Sequence, residues 1–199
     1  MSKNLKSSEA GAVVYQLKVR LVDSPVRIWR RVQVENSITL ERLHRVLQVV
    51  MGWTDDHLHG FSLPPPGRAG RTRHYLPVES DDEKRTRLAE VLRQPNDSFL
   101  YEYDFGDGWE HEITLQKVLS PSPTERYPVV VDGRGACPPE DVGGVSGYSH
   151  FLEVINDPQH PEHEEMLDWC GPDFDPSVFD VKGVNHAILG RRAARRPDA

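Results

Sequence analysis

Alternation of apolar and polar residues predicts two antiparallel strands near the start of the chain. Every second residue from Val13 to Leu21 is apolar, which is the period of a strand with one buried face. Asp23-Ser24-Pro25 then predicts a turn, because proline cannot donate a hydrogen bond within a central strand. A second strand is predicted over residues 26–34.

A helical period replaces the alternation in the next segment. One apolar stripe is formed by residues three or four positions apart, namely Leu40, Leu43, Leu47 and Val50. Thr39 is placed to cap the first turn, and Gly52 is placed to end the helix. His44 lies beside the stripe, so we expect it to be buried and hydrogen-bonded.

The remaining chain predicts further strands and then helices. A third strand is expected over residues 58–63, and a hairpin over residues 99–118. Residues 64–87 between them lack firm periodicity, which is typical of a functional lid or a disordered loop. Three short helices are predicted near the C-terminus, over about residues 148–156, 161–170 and 183–189.

This order of elements predicts an α+β fold. We expect a mixed sheet of about five strands packed on one main helix, in a β-grasp-like order, with a helical C-terminal extension. Residues 1–12 are predicted to be a disordered lead-in because they are polar and lack periodicity. Residues 13–190 are expected to form one domain, and residues 191–199 a basic tail.

The segment YEYDFGDGWEHE, residues 101–112, predicts the register of the hairpin. A three-residue loop, residues 106–108, would pair Tyr103 with His111. The apolar faces of the two strands then coincide, whereas a slip by one residue would turn one face outward. Gly108 would supply the positive φ that such a loop needs.

Charge argues against a nucleic-acid-binding body. The net charge is −7, and the tail RRAARRPDA contributes +3, which leaves −10 on residues 1–190. Phosphate binding depends on lysine and arginine, so nucleic acid contact is expected only through the tail. The chain has neither a secretory signal nor an apolar run long enough for a bilayer, so we expect a cytoplasmic protein without membrane contact.

The chemistry of the hairpin segment has two interpretations. His57 and His59 form an H-x-H pair after two aspartates, and imidazoles with carboxylates from a neighbouring strand suit Zn²⁺, Mn²⁺ or Fe²⁺. Alternatively, the segment is architecture: Asp107 accepts N–H groups of its own turn, and His111 bonds a tyrosine hydroxyl. No phosphate-binding G-x-x-x-x-G-K-[ST] motif is present.

Four blocks of the chain resemble the plasmid pRiA4b ORF-3-like family. They stand in the family's order and are YQLKVRLVDSPVRIWRRVQV, TLERLHRVLQVVMGWTDDHLHGF, YEYDFGDGWEHEITL and GACPPEDVGGVSGYSHFLEVINDP. The resemblance implies an α+β domain in a mobile-element setting. Relatives are often labelled transposon resolvase or insertion-element passenger protein, and the resemblance implies no particular reaction.

Matching the family's motifs residue by residue adds a candidate site. Its pocket would be formed by His59, Tyr103, Asp104, Asp107, Trp109, His111, Glu140, Asp141 and Tyr148. If the pocket holds a divalent metal, the expected ligands are His59, Asp104, Asp107 and His111.

Three functions follow as hypotheses. The first is a module that binds a protein or a small ligand in the acidic pocket. The second is a metal-dependent, hydrolase-like enzyme that uses the same pocket. The third is a DNA-associated, resolvase-type accessory that contacts DNA through the arginine tail.

Overall fold

The computed structural model describes residues 13–64, 76–171 and 173–193. The predicted lead-in, residues 65–75 of the long loop and the end of the tail lie outside these residues. Within the described ranges, seven strands form one sheet: β1 (Val14–Leu21), β2 (Trp29–Glu35), β3 (His59–Leu63), β4 (Leu76–Pro77), β5 (Ser98–Tyr103), β6 (Trp109–Leu119) and β7 (Val129–Arg134).

Six helices accompany the sheet in the part of the chain that the structure describes. They are α1 (Leu40–Met51), α2 (Ser80–Glu83), α3 (Leu88–Val91), α4 (Gly144–Asn156), α5 (His163–Cys170) and α6 (Val181–Ala193). The last three confirm the predicted C-terminal extension. None of the helices that the structure describes combines the length and the apolar character needed to cross a membrane.

The strand order is β4-β3-β5-β6-β1-β2-β7. The α+β class is confirmed, but the sheet has seven strands instead of about five. Every described pairing is antiparallel, where we expected a mixed sheet. Strand β4 is two residues long, and β7 is apolar only at its start, so alternation gives little sign of either.

Helix α1 packs its apolar stripe against the inner face of the sheet. Its caps are as predicted: Thr39 accepts the N–H of Arg42, and Gly52 adopts a left-handed φ of 94°. Leu43 and Leu47 are almost fully buried. The helix therefore covers the face on which the aromatic residues of β5 lie.

The predicted register of the hairpin is wrong by two residues. Tyr103 pairs with Trp109, and Tyr101 pairs with His111. The loop is residues 104–108, because Asp104 leaves the strand with a left-handed φ of 56°. Its side-chain Oδ1 accepts the N–H of Gly106 at 2.9 Å. A shift of two residues preserves the faces of both strands, so the buried faces were predicted correctly although the partners were not.

Gly108→Ala tests the conformation of this loop. Gly108 has the expected positive φ, 68°, and a Cβ there would meet no other atom within 4 Å, so strain in the backbone should be the main cost. We expect the free energy of unfolding to fall by about 1 kcal/mol in urea titrations. Gly190→Ala, in α6 with equally open surroundings, is the control and should be neutral or stabilising. Equal effects of the two substitutions would contradict the assigned loop.

Candidate functional site

Three loops meet at one end of the sheet. They are residues 52–58 after α1, the hairpin loop 104–108, and residues 135–143 before α4. The N–H of Asp104 bonds the carbonyl of Leu58 at 2.8 Å, and the N–H of Gly143 bonds Oδ2 of Asp107 at 3.1 Å. The hairpin loop is thus held on both sides, and polar residues from all three loops face one another.

His57, Asp104 and Asp141 form a compact cluster where these loops meet. One ligand atom from each of the three residues lies within 4.8 Å of the other two. His57 Nε2 is 3.3 Å from Asp141 Oδ1, and His57 Nδ1 is 3.8 Å from Asp104 Oδ2. Asp104 is buried, whereas the side chain of Asp141 is 73% exposed, so the cluster is open to solvent on one side.

Glu140 lies next to the cluster, and hydrogen bonds from the described residues reach only one of its two carboxylate oxygens. Its Oε1 accepts the N–H of Thr54 at 2.9 Å and the O–H of Tyr103 at 3.1 Å. Among the described residues, its Oε2 is buried without a hydrogen-bond partner and lies 3.8 Å from His57 Nε2. A buried carboxylate oxygen without a partner is costly, so this atom is suited to receive a cation or a donor.

Tyr103 serves as a donor in this arrangement. Burial, and then the negative charge of Glu140, raise the pKa of Tyr103 to about 12. The hydroxyl therefore stays protonated at neutral pH and can donate to Glu140. It also accepts the N–H of Asp56 at 3.2 Å, which links the loop after α1 to the loop before α4.

Part of the predicted pocket comes together, but with a different histidine. Tyr103, Asp104, Glu140 and Asp141 converge, and His57 occupies the position that the prediction gave to His59. The sequence carried a sign of this residue, since His57 follows two aspartates and begins the H-x-H pair. Alternation could not distinguish the two histidines, because residue 57 lies in the loop before β3 begins.

His59 belongs to a separate, partly buried network. Its Nε2 lies 3.1 Å from Oε2 of the buried Glu83, and its ring stacks on His44 with centroids 3.5 Å apart. His44 bonds the hydroxyl of Tyr101 and a carboxylate oxygen of Asp55, so it is buried and hydrogen-bonded as predicted. This network ties α2 to the sheet and to α1.

Asp107 acts as a tether between loops. It does not accept the N–H groups of its own turn, because Asp104 takes that role. Oδ2 of Asp107 instead accepts the N–H of Gly143, the residue before α4. Its carboxylate therefore fixes the loop that carries Glu140 and Asp141.

The other predicted pocket residues lie in the core. Trp109 and Tyr148 are buried and meet edge to face, with ring centroids 6.4 Å apart. His111 is fully buried, and its Nδ1 lies 3.3 Å from the backbone carbonyl of Tyr101 instead of a tyrosine hydroxyl. The proposed ligand set of His59, Asp104, Asp107 and His111 is therefore not brought together.

Comparisons with known proteins agree on one family. Residues 13–183 match the family described as "Plasmid pRiA4b ORF-3-like protein". The chain is 40% identical over 188 residues to "Uncharacterized protein y4hQ" of Sinorhizobium fredii, with 93% of this chain and 96% of the relative covered. It is also similar to a crystal structure of the protein of unknown function MM3350 from Methanosarcina mazei. That match has a TM-score of 0.79 and 39% identity, and covers 87% of this chain and 98% of the other.

The buried His111 predicts a loss of stability in acid. Burial lowers its pKa to about 4, below the ordinary value of about 6.5, so the fold favours the neutral ring. As the pH falls from about 6.5 to about 4, the unfolded chain binds a proton that the folded chain does not, and stability declines by on the order of 3 kcal/mol. Urea unfolding at a series of pH values measures this decline.

His111→Leu is the matching variant. The decline below pH 6.5 should become shallower, with the remainder due to other groups such as His44, whose pKa is also lowered by burial. A decline as steep as that of the wild type would show that His111 does not cause it.

Gly144→Ala tests the contact between the hairpin loop and the loop before α4. A Cβ at this residue would lie 2.5 Å from the carbonyl oxygen of Asp107, and φ is 67°. Gly108 has a similar φ, but a Cβ there meets no clash. The difference in free energy of unfolding between the Gly144→Ala and Gly108→Ala variants therefore measures the contact. We expect Gly144→Ala to lose at least twice as much free energy of unfolding. Similar losses would mean that the loops are not in tight contact.

Proposed function

The chain belongs to the plasmid pRiA4b ORF-3-like family, and we propose that it binds a divalent metal ion between His57, Asp104 and Asp141. The observation that carries this proposal is the convergence of one imidazole and two carboxylates from three separate loops within 4.8 Å. The proposal narrows the binding-module hypothesis to a metal ion as the ligand.

The spacing of the donor atoms supports this proposal. Two ligands that each lie about 2.1 Å from a tetrahedral ion are about 3.4 Å apart. His57 Nε2 and Asp141 Oδ1 are separated by 3.3 Å, which requires little movement. Imidazole combined with carboxylates suits Zn²⁺ or Mn²⁺ better than Ca²⁺ or Mg²⁺, which prefer oxygen ligands alone.

Glu140 is placed to provide a fourth ligand to the ion. The bonds from Thr54 and Tyr103 fix Oε1, and the unpartnered Oε2 lies on the side of His57 Nε2. A rotation of the carboxylate within this anchored position would bring Oε2 toward an ion at the cluster. Glu140 would then bind the ion directly or through a water molecule.

Charge provides an independent reason for a cation. Asp104, Glu140 and Asp141 surround one imidazole, and carboxylates this close repel one another unless a positive charge lies among them. A divalent ion bound among these residues would supply that charge, and its binding requires the imidazole nitrogen that it contacts to be deprotonated.

Metal-dependent hydrolysis is a second candidate function. The exposed side chain of Asp141 leaves one side of the cluster accessible, and catalytic metal sites keep such a position for water or substrate. DNA contact through the tail stays a prediction, since residues 194–199 lie outside the described part of the chain.

Isothermal titration with Zn²⁺ and with Mn²⁺ tests the metal site. The protein should be free of any histidine tag and dialysed against a chelator, which is then removed. We expect one ion per chain, and His57→Ala or Asp141→Asn should weaken binding at least tenfold. His150→Ala is the matched control, because His150 is exposed, pairs with Glu162 and does not belong to the cluster.

Two results would overturn the metal proposal. One is the absence of uptake by the wild-type protein, and the other is uptake that His57→Ala leaves unchanged. If uptake is absent and His57→Ala destabilises the fold at neutral pH, His57 has a structural role among the carboxylates and does not bind a metal ion. Thermal melting of both proteins without metal distinguishes that case.

A further inference from the structure

The outer face of the sheet, opposite α1, has an uneven distribution of charge. Strand alternation places every second residue on this face. Strands β1, β2 and β7 contribute four cations, and these are Lys18, Arg20, Arg31 and Arg134. Glu35 and Asp132 lie on the same half, which leaves it with a net charge of +2. We call this half the cationic half.

Strands β5 and β6 form the acidic half of the same face, on which three glutamates outnumber one cation, Lys117, which the register places opposite Gln16. Glu102 and Glu110 are directly opposite each other in the register, and Glu112 follows on β6. Like charges in opposed positions destabilise a sheet unless a cation relieves them. Burial, and then the charge of Glu102, raise the pKa of Glu110.

Several of these charges have no partner within the described chain. Arg20 pairs with Glu112, and Arg31 pairs with Asp132. The ion pairs among the described residues do not include Lys18, Arg134, Glu102 or Glu110. Unpaired cations and unpaired acids thus lie on one surface, separated by the width of a few strands.

One aromatic side chain lies on the cationic half, and another lies beside the acidic half. Trp29 stands between Arg20 and Arg134 in the register, and the nitrogen Nζ of Lys18 is 5.8 Å from its ring centroid. Beside the acidic half, the ring of Phe105 lies over Gly60 of β3 and is 54% exposed. Partly exposed aromatic residues with arginine nearby are common anchors of protein interfaces.

We propose that this face binds a second copy of the chain. The two-fold axis would lie parallel to the strands, above the boundary between β6 and β1. Rotation about that axis places the acidic half of one copy over the cationic half of the other, so the surface is complementary to itself. An axis perpendicular to the strands would place like charges together and is excluded by the same pattern.

A nucleic acid is the main competing partner, since cations around a tryptophan also suit bases and phosphates. The acidic half argues against it, because Glu102, Glu110 and Glu112 lie on the same face and repel phosphate. A second copy satisfies both halves at once. Strands about 4.8 Å apart make the face from β5 to β7 about 20 Å wide. A contact limited to this face buries an area at the low end of interface sizes. We therefore expect a weak dimer that salt dissociates.

Sedimentation velocity tests the dimer. Wild-type protein in chelator should sediment as a dimer at about 200 μM in about 50 mM salt and as a monomer in about 500 mM salt. Two double variants reverse one half each: Lys18→Glu with Arg134→Glu, and Glu102→Lys with Glu110→Lys. Each variant alone should be monomeric, because its two halves then carry the same sign.

Mixing the two variants gives the decisive result. Each variant presents the charge that the other needs, so an equimolar mixture should form a heterodimer under the low-salt conditions. Formation of the heterodimer would also show that both variants are folded. Because none of the four substituted residues belongs to the metal cluster, this result is independent of the metal proposal.

Three outcomes would overturn the inference. They are a monomeric wild type at low salt, a dimer that both double variants retain, and a mixture that remains monomeric although circular dichroism shows both variants to be folded. A wild type that is monomeric and binds a fluorescent single-stranded oligonucleotide would assign the cationic half to nucleic acid instead.

Discussion

The candidate site depends on one contact between two loops that are distant in the chain. The carboxylate of Asp107 holds the N–H of Gly143, and Gly144 allows the two backbones to approach closely. Glu140 and Asp141 reach His57 because this contact fixes the loop before α4. Gly143 and Gly144 both have positive φ. A side chain at Gly144 would also overlap the hairpin loop, so only glycine allows this close contact.

Two histidine networks lie close together in the sequence and have different roles. His44 and His59 have partners in the core, so their hydrogen bonds are consistent with a structural role. His57 lies among carboxylates at 3.3 to 3.8 Å and borders solvent, so its surroundings still favour a further cation. The difference is that three carboxylates surround His57, whereas His59 faces one carboxylate and stacks on His44, and this is why the metal proposal rests on His57.

The two faces of the sheet are specialised in different ways. The inner face gathers aromatic side chains against α1 and excludes water from His111, which holds that ring in its neutral form. The outer face instead carries segregated charges. At the outer edge of β7, the amide of Asn185 bonds both the N–H and the carbonyl of Val130, as a neighbouring strand would. The backbone N–H and carbonyl of Val130 at this sheet edge are therefore already hydrogen-bonded within the chain.

The sequence by itself determined the α+β class, the caps of α1, the buried faces of the hairpin and the positive φ of Gly108. These features depend on periodicity and on local conformational preference, which neighbouring residues control. The exact strand pairing was decided by Asp104, whose left-handed conformation lengthens the loop and which alternation does not reveal. Strand β7 and the antiparallel direction of the sheet also required partners distant in sequence.

The residues of the candidate site likewise divide into those that the sequence indicated and those that only the tertiary structure identified. Tyr103, Asp104, Glu140 and Asp141 could be proposed from motifs, because each stands in a segment with more polar residues than its predicted elements need. The choice of His57 over His59, and the placement of His111 in the core, depended on where β3 begins and on which side of it each ring lies. Tertiary structure decided these points because a ligand set is defined by distances between loops, and no local pattern encodes those distances.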